Sequence, residues 1–459
     1  MKQSNEENLQ RDLSERHVQL IAIGGAIGIG LFLASGSAIA SAGPSLLLSY
    51  LLAGTVVYFI MRALGEVAVE DPVSGSFSAY AHKFISPCAG FMIGWTYWFM
   101  WVVTCMAEVT AIGIYCTFWW PELPQWIPAL AALTCIMASN LFNVKAFGEF
   151  EFWFALIKVV TIIAIIAAGL AIIFFGFGSS SHSVGISNLY ALKGGFFPFG
   201  VSRVFQVLGV AIIAFVGVEF IGITAGEIKN PEKSIPSSIN KVLFRIILLY
   251  IGTLFVIMCI YPWMNIAKGA GVTESPFVST FSGLGIKQAA AIINFVVITA
   301  SFSSCNSGMF SNGRMLYNLA LQKQAPQFLA KVNSNKIPAN AIITSSIVAL
   351  ISVVLNLVMP ENVFLSLISI ITFLSLWVWG SIVIIQMYSR RGKSAEDISK
   401  LKYPMLFYPY TNFIALIALA IVAVILVFEK PTAVIIASTW LIIIYCFYKL
   451  FFKEKTQKN

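Results

Sequence analysis

Charge is scarce in this sequence. Of 459 residues only 11% are Asp, Glu, Lys or Arg, while 58% are apolar, and the mean hydropathy is +0.86. Soluble globular chains carry roughly a quarter charged residues, so the composition excludes a water-soluble domain and makes lipid the solvent. Histidine is rarer still. His17, His82 and His182 fall at span ends or in loops and make no HExxH-like ligand spacing, which speaks against a metal site. The seven cysteines, Cys88, Cys105, Cys116, Cys135, Cys259, Cys305 and Cys446, include no CxxC pair and lie in or beside apolar runs; they read as buried free thiols. There is no GxSxG elbow, P-loop or low-complexity stretch. No metal, no cofactor and no enzymatic activity are expected, since a membrane enzyme needs a reactive cluster near one interface and none is visible.

What the chain does have is apolar runs of the length a bilayer demands, about 20 residues each. Twelve can be drawn: 18–40, 43–64, 89–119, 127–141, 152–174, 204–225, 242–261, 289–310, 339–358, 364–386, 407–428 and 432–452. Around them the chain divides into a polar tail (1–17), a core of ten spans (18–386), a polar loop (387–406), two further spans (407–452) and a second tail (453–459). No cleavage-like small-residue pattern follows the first apolar run, so a removable signal peptide is not expected. With twelve spans both termini share a side. That side collects 23 lysines and arginines, Arg16, Arg62, Lys229, Lys233, Arg314 and Arg390 among them, against 5 on the other, Lys193, Arg203, Lys268, Lys287 and Lys430. The positive-inside rule then makes both termini cytoplasmic. Basic loops at an anionic leaflet also account for the net charge of +9 without any nucleic acid.

Spans one and six are interrupted by glycine at corresponding places. The first reads IGGAIGIGLF over 23–32, the other AFVGVEFIG over 214–222, and they lie five spans apart. Each glycine weakens a helix by roughly 1 kcal/mol relative to alanine, so breakage there is cheap. A broken helix frees backbone groups that lipid does not tolerate except around a cavity, where N–H groups can hold a carboxylate and carbonyls an ammonium. A zwitterion fits that pair. The competing reading is that Gly24 and Gly28, a GxxxG pair, only let two helices pack closely. A nucleotide fold is excluded because no strand precedes the glycines.

Ionisable groups inside spans are the second signal, because one at mid-depth costs about 2.5–3.5 kcal/mol even on an insertion scale. Glu108, Lys158 and Glu219 stand out. Desolvation disfavours the charged form of any such group, which makes each a candidate proton carrier. Against this, Lys158 is about six residues, roughly 9 Å of helix, from the end of its span and could snorkel to the interface; the two glutamates could serve only as structural hydrogen-bond partners.

These residues and several motifs in fixed order carry a resemblance that runs nearly end to end. The motifs are RHVQLIAIGGAIG (16–28), GSFSAYA (75–81), GWTYWF (94–99), FGEFEFWF (147–154), GEIKNPEKSIP (226–236) and SSCNSG (303–308). The chain resembles the amino acid–polyamine–organocation superfamily and its bacterial amino-acid permeases for aromatic amino acids, proline, GABA and D-serine/D-alanine/glycine. GWTYWFMWVV (94–103) and INFVVIT (293–299) look most like the last of these. The resemblance implies an all-α, LeuT-like fold of 5+5 inverted repeats with broken spans one and six. It places a substrate carboxylate at the backbone of Gly28, Ile29 and Gly30, beside Ile27, and the substrate ammonium at carbonyls near Ala26 and Ala214 to Val216, beside Gly217. Phe215 is then an aromatic gate or an ordinary core aromatic. Lys158 matches a lysine of proton-coupled relatives, with Glu108 and Glu219 as further proton-coupling candidates. Members usually carry Thr or Ser where this chain has Ile29, so a hydroxyl contact is lost while the N–H stays.

The function expected is alternating-access symport of protons with small neutral amino acids such as alanine, glycine or serine, in L or D form, at a bacterial inner membrane, by a monomer or homodimer. An exchanger, a permease for aromatic amino acids, proline or GABA, and a nutrient receptor are the alternatives. A channel is disfavoured, because no filter-like loop is present.

Overall fold

Long apolar segments in lipid must pair their backbone groups internally, which leaves the helix as their local solution. The computed structural model describes residues 15–73, 75–142, 144–175, 184–192, 194–269, 275–358 and 363–452. His182, Lys193, most of the first tail and the whole of the second lie outside the described residues, as do the side chains of His17 and Lys268.

The first half contains α1 (Glu15–Ala26), α2 (Ile29–Phe32), α3 (Ala34–Ala42), α4 (Leu46–Glu70), α5 (Ser76–Phe84), α6 (Pro87–Cys116), α7 (Trp126–Phe142) and α8 (Val144–Phe175). Next come α9 (Ser202–Gln206), α10 (Leu208–Ile213), α11 (Phe220–Ile223), α12 (Pro231–Ile260), α13 (Trp263–Gly269), α14 (Pro276–Gly283) and α15 (Lys287–Leu321). The remainder is α16 (Ala339–Ala349), α17 (Ile351–Val358), α18 (Val363–Ser389), α19 (Ala395–Ser399), α20 (Tyr410–Glu429) and α21 (Pro431–Phe451).

Among the described residues nine helices are long and apolar enough to cross a membrane, and Val18–Phe32 and Trp126–Leu141 are shorter apolar helices. The chain is an all-α, multi-span membrane protein. Several helices outrun their apolar stretches. The helix α12 begins at Pro231, eleven residues before the run at 242, and α15 continues to Leu321, eleven past its end at 310. Lys233, Lys241 and Arg314, which lie outside the runs drawn from sequence, are therefore helical.

Burial sorts the helices. Along α6 almost every position is buried, whereas α20 and α21 leave most of their apolar surface exposed, as helices facing hydrocarbon do. The helices α6 and α15 pair at the centre with α1, α4, α8, α12 and α18 around them, and α20 and α21 are peripheral. The cysteine expectation is corrected here. All seven are free, yet only Cys105, Cys259 and Cys305 are buried, while Cys135 and Cys446 are exposed. Lying in an apolar span does not decide which face of the helix a thiol occupies.

Two buried ion pairs fasten the helices where the Lys229–Lys233 segment lies. Arg314 on α15 grips Glu227 with Nε at 2.5 Å and Nη2 at 3.2 Å. Arg390, just after α18, grips Glu66 on α4 with Nε at 2.7 Å and Nη2 at 2.5 Å, and Gln386 and the Met405 N–H also donate to Glu66.

Candidate functional site

Helix α1 stops at Ala26, and the chain passes through Ile27 and Gly28 before α2 begins. Gly28 lets two side chains approach the backbone: a Cβ there would run into Glu108 Oε1 and stand 2.9 Å from Ser304 Oγ, and both would have to shift. The second interruption is longer, with turns over 214–219 between α10 and α11. There Gly217 has φ +112°, and a Cβ would meet the backbone of Gly25 at 2.5 Å and Ala26 N at 2.8 Å. Close packing and helix breakage, offered by the sequence as alternatives, thus occur together, and the two breaks touch backbone to backbone.

Freed backbone groups at both breaks are met by named side chains. Glu108, buried on α6, accepts from the Ile29 N–H at 3.4 Å, and its Oε2 has no hydrogen-bond partner among the described residues. Ser304 donates to the Gly25 carbonyl at 3.1 Å. Glu219 accepts from the Gly217 N–H at 2.9 Å and from Trp101 Nε1 at 3.1 Å, so it staples the second break shut.

Lys158 on α8 is wholly buried and donates to the Gly24 carbonyl at 2.6 Å. Snorkelling, the alternative the sequence left open, is thereby overturned: α8 begins well before the apolar run, and Lys158 points inward to the first break. Seven residues earlier, two turns along the same face, Glu151 is equally buried. It accepts from Ser303 at 2.7 Å and from Asn306 Nδ2 at 2.9 Å, and Asn306 in turn accepts from Ser139 and Asn140. Sequence reasoning missed Glu151 because it put the start of the span at Phe152; the seven-residue spacing to Lys158 was the available signal.

Tyr250 on α12 was also missed. Its hydroxyl lies 2.8 Å from the Ala26 carbonyl and 2.7 Å from the Ala214 carbonyl, one acceptor from each break. Phe215 packs on the Tyr250 ring at 5.4 Å and Tyr50 meets it edge-on at 6.0 Å.

Between the breaks is a cavity of about 10 Å³, whose walls include Ala26, Ile29, Gly30, Glu108, Ser304 and Val216. That is room for about one water. Of the residues singled out from sequence, Ala26, Gly28, Ile29, Gly30, Val216 and Glu108 line it, and Ile27, Lys158, Ala214, Phe215, Gly217 and Glu219 do not. A second cavity of about 250 Å³, with Ser37, Ser41, Arg203, Gln206 and Lys430 in its lining, adjoins the first along two helices. Val210 and Ile368 face the larger space, and Ile213 and Ile371, each three residues on, face the smaller. One helical turn of apolar side chains separates them. The Ile29 amide, bonded to Glu108, borders this space, while the carbonyls of Ala26 and Ala214 converge on the Tyr250 hydroxyl; amides and carbonyls freed at helix breaks can hold an anionic and a cationic group. Among the described residues no group of three or more His, Cys, Asp or Glu is placed to hold a metal ion.

Comparison with known proteins agrees with this architecture. The sequence profile described as "Amino acid permease" matches residues 17–459. The chain is 49% identical to the Bacillus subtilis protein described as uncharacterized amino acid permease YtnA, over 97% of this chain and 96% of that one. It is 44% identical to the B. subtilis probable threonine/serine transporter YbxG, over 98% and 97% of the two chains. With the aromatic amino acid transport protein AroP of Escherichia coli O6:H1 it shares 43% identity over 99% and 98%. Helices fit to span lipid and kinship along almost the whole chain give one conclusion: this chain belongs to the amino acid permease family, within the amino acid–polyamine–organocation superfamily, whose members are transporters and not enzymes.

Proposed function

We propose that this permease couples inward proton movement to uptake of small neutral amino acids such as alanine, glycine or serine, in L or D form, by alternating access. The observation that carries the reading is the meeting of two helix breaks at a buried polar space, with Glu108 on the Ile29 amide and Lys158 on the Gly24 carbonyl. The substrate carboxylate takes the amides of Gly28 to Gly30 and the ammonium takes the carbonyls of Ala26 and Ala214 to Val216. A proton on Glu108 removes the negative charge that competes with the substrate carboxylate for the Ile29 N–H. Lys158 ties the same break to α8, so its protonation state sets how firmly the first break is held. Glu219 holds the other break in shape.

In this reading the chain crosses the membrane twelve times, counting Val18–Phe32, Trp126–Leu141 and the interrupted segment between Ser202 and Ile223 with the nine longer helices. Spans one to five and six to ten form inverted repeats within 18–386, followed by the loop 387–406 and the last two spans. Both termini face the cytoplasm of a bacterial inner membrane, as the distribution of lysine and arginine supports, and the protein works as a monomer or homodimer. Glu108 is the one acidic residue on the cavity wall among the described residues, which favours neutral over dibasic substrates, and the sequence resemblance favours the D-serine/D-alanine/glycine branch. The names of YbxG and AroP mark hydroxylated and aromatic amino acids as the competing choices.

The test is uptake of a radiolabelled amino-acid panel into proteoliposomes, with and without an imposed inward proton gradient. Gradient-stimulated accumulation of alanine, glycine or serine is the expected result. Uptake that ignores the gradient and requires amino acid inside the vesicles makes the protein an exchanger instead, and accumulation only of aromatic substrates overturns the substrate assignment.

A further inference from the structure

We infer that Tyr250 is the protein's own substitute for the substrate ammonium, and that its hydroxyl is what lets the unloaded carrier complete its return. This rests on the seating of the substrate between the two breaks put forward above. Two backbone carbonyls need a donor here. Those of Ala26 and Ala214 belong to different breaks, point to one place and are buried. A buried carbonyl left without a donor is costly, so something must serve both whenever the breaks are together.

Tyr250 does this with an oxygen 2.8 Å from one and 2.7 Å from the other. A phenol has a single proton, which only one of the two carbonyls can take in full at any moment. A primary ammonium carries three donors and can satisfy both carbonyls at once without the hydroxyl. Substrate therefore takes over the role of the hydroxyl and performs it better. The ring cannot easily swing away. It is wholly buried between Phe215 and Tyr50, and α12 holds it from outside both breaks.

A loaded carrier has the ammonium to bond the Ala26 and Ala214 carbonyls together, and in the unloaded one the Tyr250 hydroxyl bonds them. Exchange uses loaded carriers in both directions, whereas net uptake needs the unloaded carrier to come back. Loss of the hydroxyl alone should separate the two modes.

Tyr250→Phe keeps the ring and removes the hydroxyl. The full-length variant, checked for monodisperse elution, is compared with wild type in proteoliposomes, using whichever of radiolabelled alanine, glycine or serine wild type carries fastest. Net uptake into vesicles without internal amino acid is expected to fall at least about tenfold, equivalent to about 1.4 kcal/mol, while exchange stays within about threefold. Apparent KM in the exchange mode should fall, because the hydroxyl no longer competes for the carbonyls. Equal loss of both modes in monodisperse protein, or no change in either, overturns the inference. If wild type itself moves none of the three amino acids in either mode, the substrate reading beneath it fails first and takes this inference with it.

Discussion

Replacing Gly217 by alanine tests whether the contact between the two helix breaks is as close as described. Two costs add at this position. The first is conformational: φ is +112°, a region that side-chain-bearing residues enter at about 1–3 kcal/mol. The second is steric. The new methyl would lie 2.5 Å from the Gly25 carbonyl carbon and 2.8 Å from Ala26 N, backbone atoms that cannot rotate away, and forced overpacking of this kind costs typically about 1–3 kcal/mol. Gly200 separates the two terms, because its φ of +84° carries strain while nothing lies within 4 Å of an added Cβ. Thermal unfolding of both variants in detergent is the assay. Gly200→Ala is expected to lose the strain term only, and Gly217→Ala about twice as much, with transport lost as the breaks are pushed apart. Equal destabilisation by the two substitutions would refute the reasoning, since the contact with Gly25 would then contribute nothing.

Two further outcomes are expected. Arg390→Leu strands Glu66, whose side chain is 2% exposed, and breaking a buried pair from one side costs about 3–5 kcal/mol; a Glu66→Leu/Arg390→Leu double variant should regain part of that loss in the same unfolding assay. At the start of α1, Glu15 is held below its ordinary carboxylate value of 4.5 by the Ser237 hydroxyl at 2.6 Å, with Lys241 and Gln19 also donating. A lowered carboxylate value stabilises above the unfolded value and ceases to as pH falls through the folded one. Glu15→Gln should therefore lower the unfolding temperature at pH 7, and the gap to wild type should close below about pH 4.

Most of the candidate site was legible because its residues are out of place in their surroundings. Four glycines within seven residues are anomalous in a spanning helix, and the chain does break there. A carboxylate or ammonium inside an apolar run is costly enough to stand out, which is how Glu108, Lys158 and Glu219 were found. What stayed hidden was polarity that composition masks. Tyr250 presents one hydroxyl on a large apolar ring within an apolar run, and only the meeting of α12 with both breaks shows what that oxygen does. Glu151 was lost to a misplaced boundary, since the charged stretch before 152 looks like a loop until α8 is seen to begin at Val144. The same limit hid the partner of Arg314, which sits four helical residues past the end of the apolar run at 310, where its buried pairing with Glu227 joins sequence positions 87 residues apart. Hydropathy reports a solvent preference averaged along a window; it does not say which helix a side chain will meet.

Lys158 is proposed to couple the proton to the first break. Its most direct test is accumulation of the preferred amino acid in proteoliposomes under an inward proton gradient, comparing wild type with Lys158→Ala and following exchange in the same preparations. Wild type should concentrate substrate, and the variant should lose concentration while still exchanging. A variant that concentrates substrate as well as wild type would contradict the claim and leave Lys158 as a structural tie between α8 and the Gly24 carbonyl.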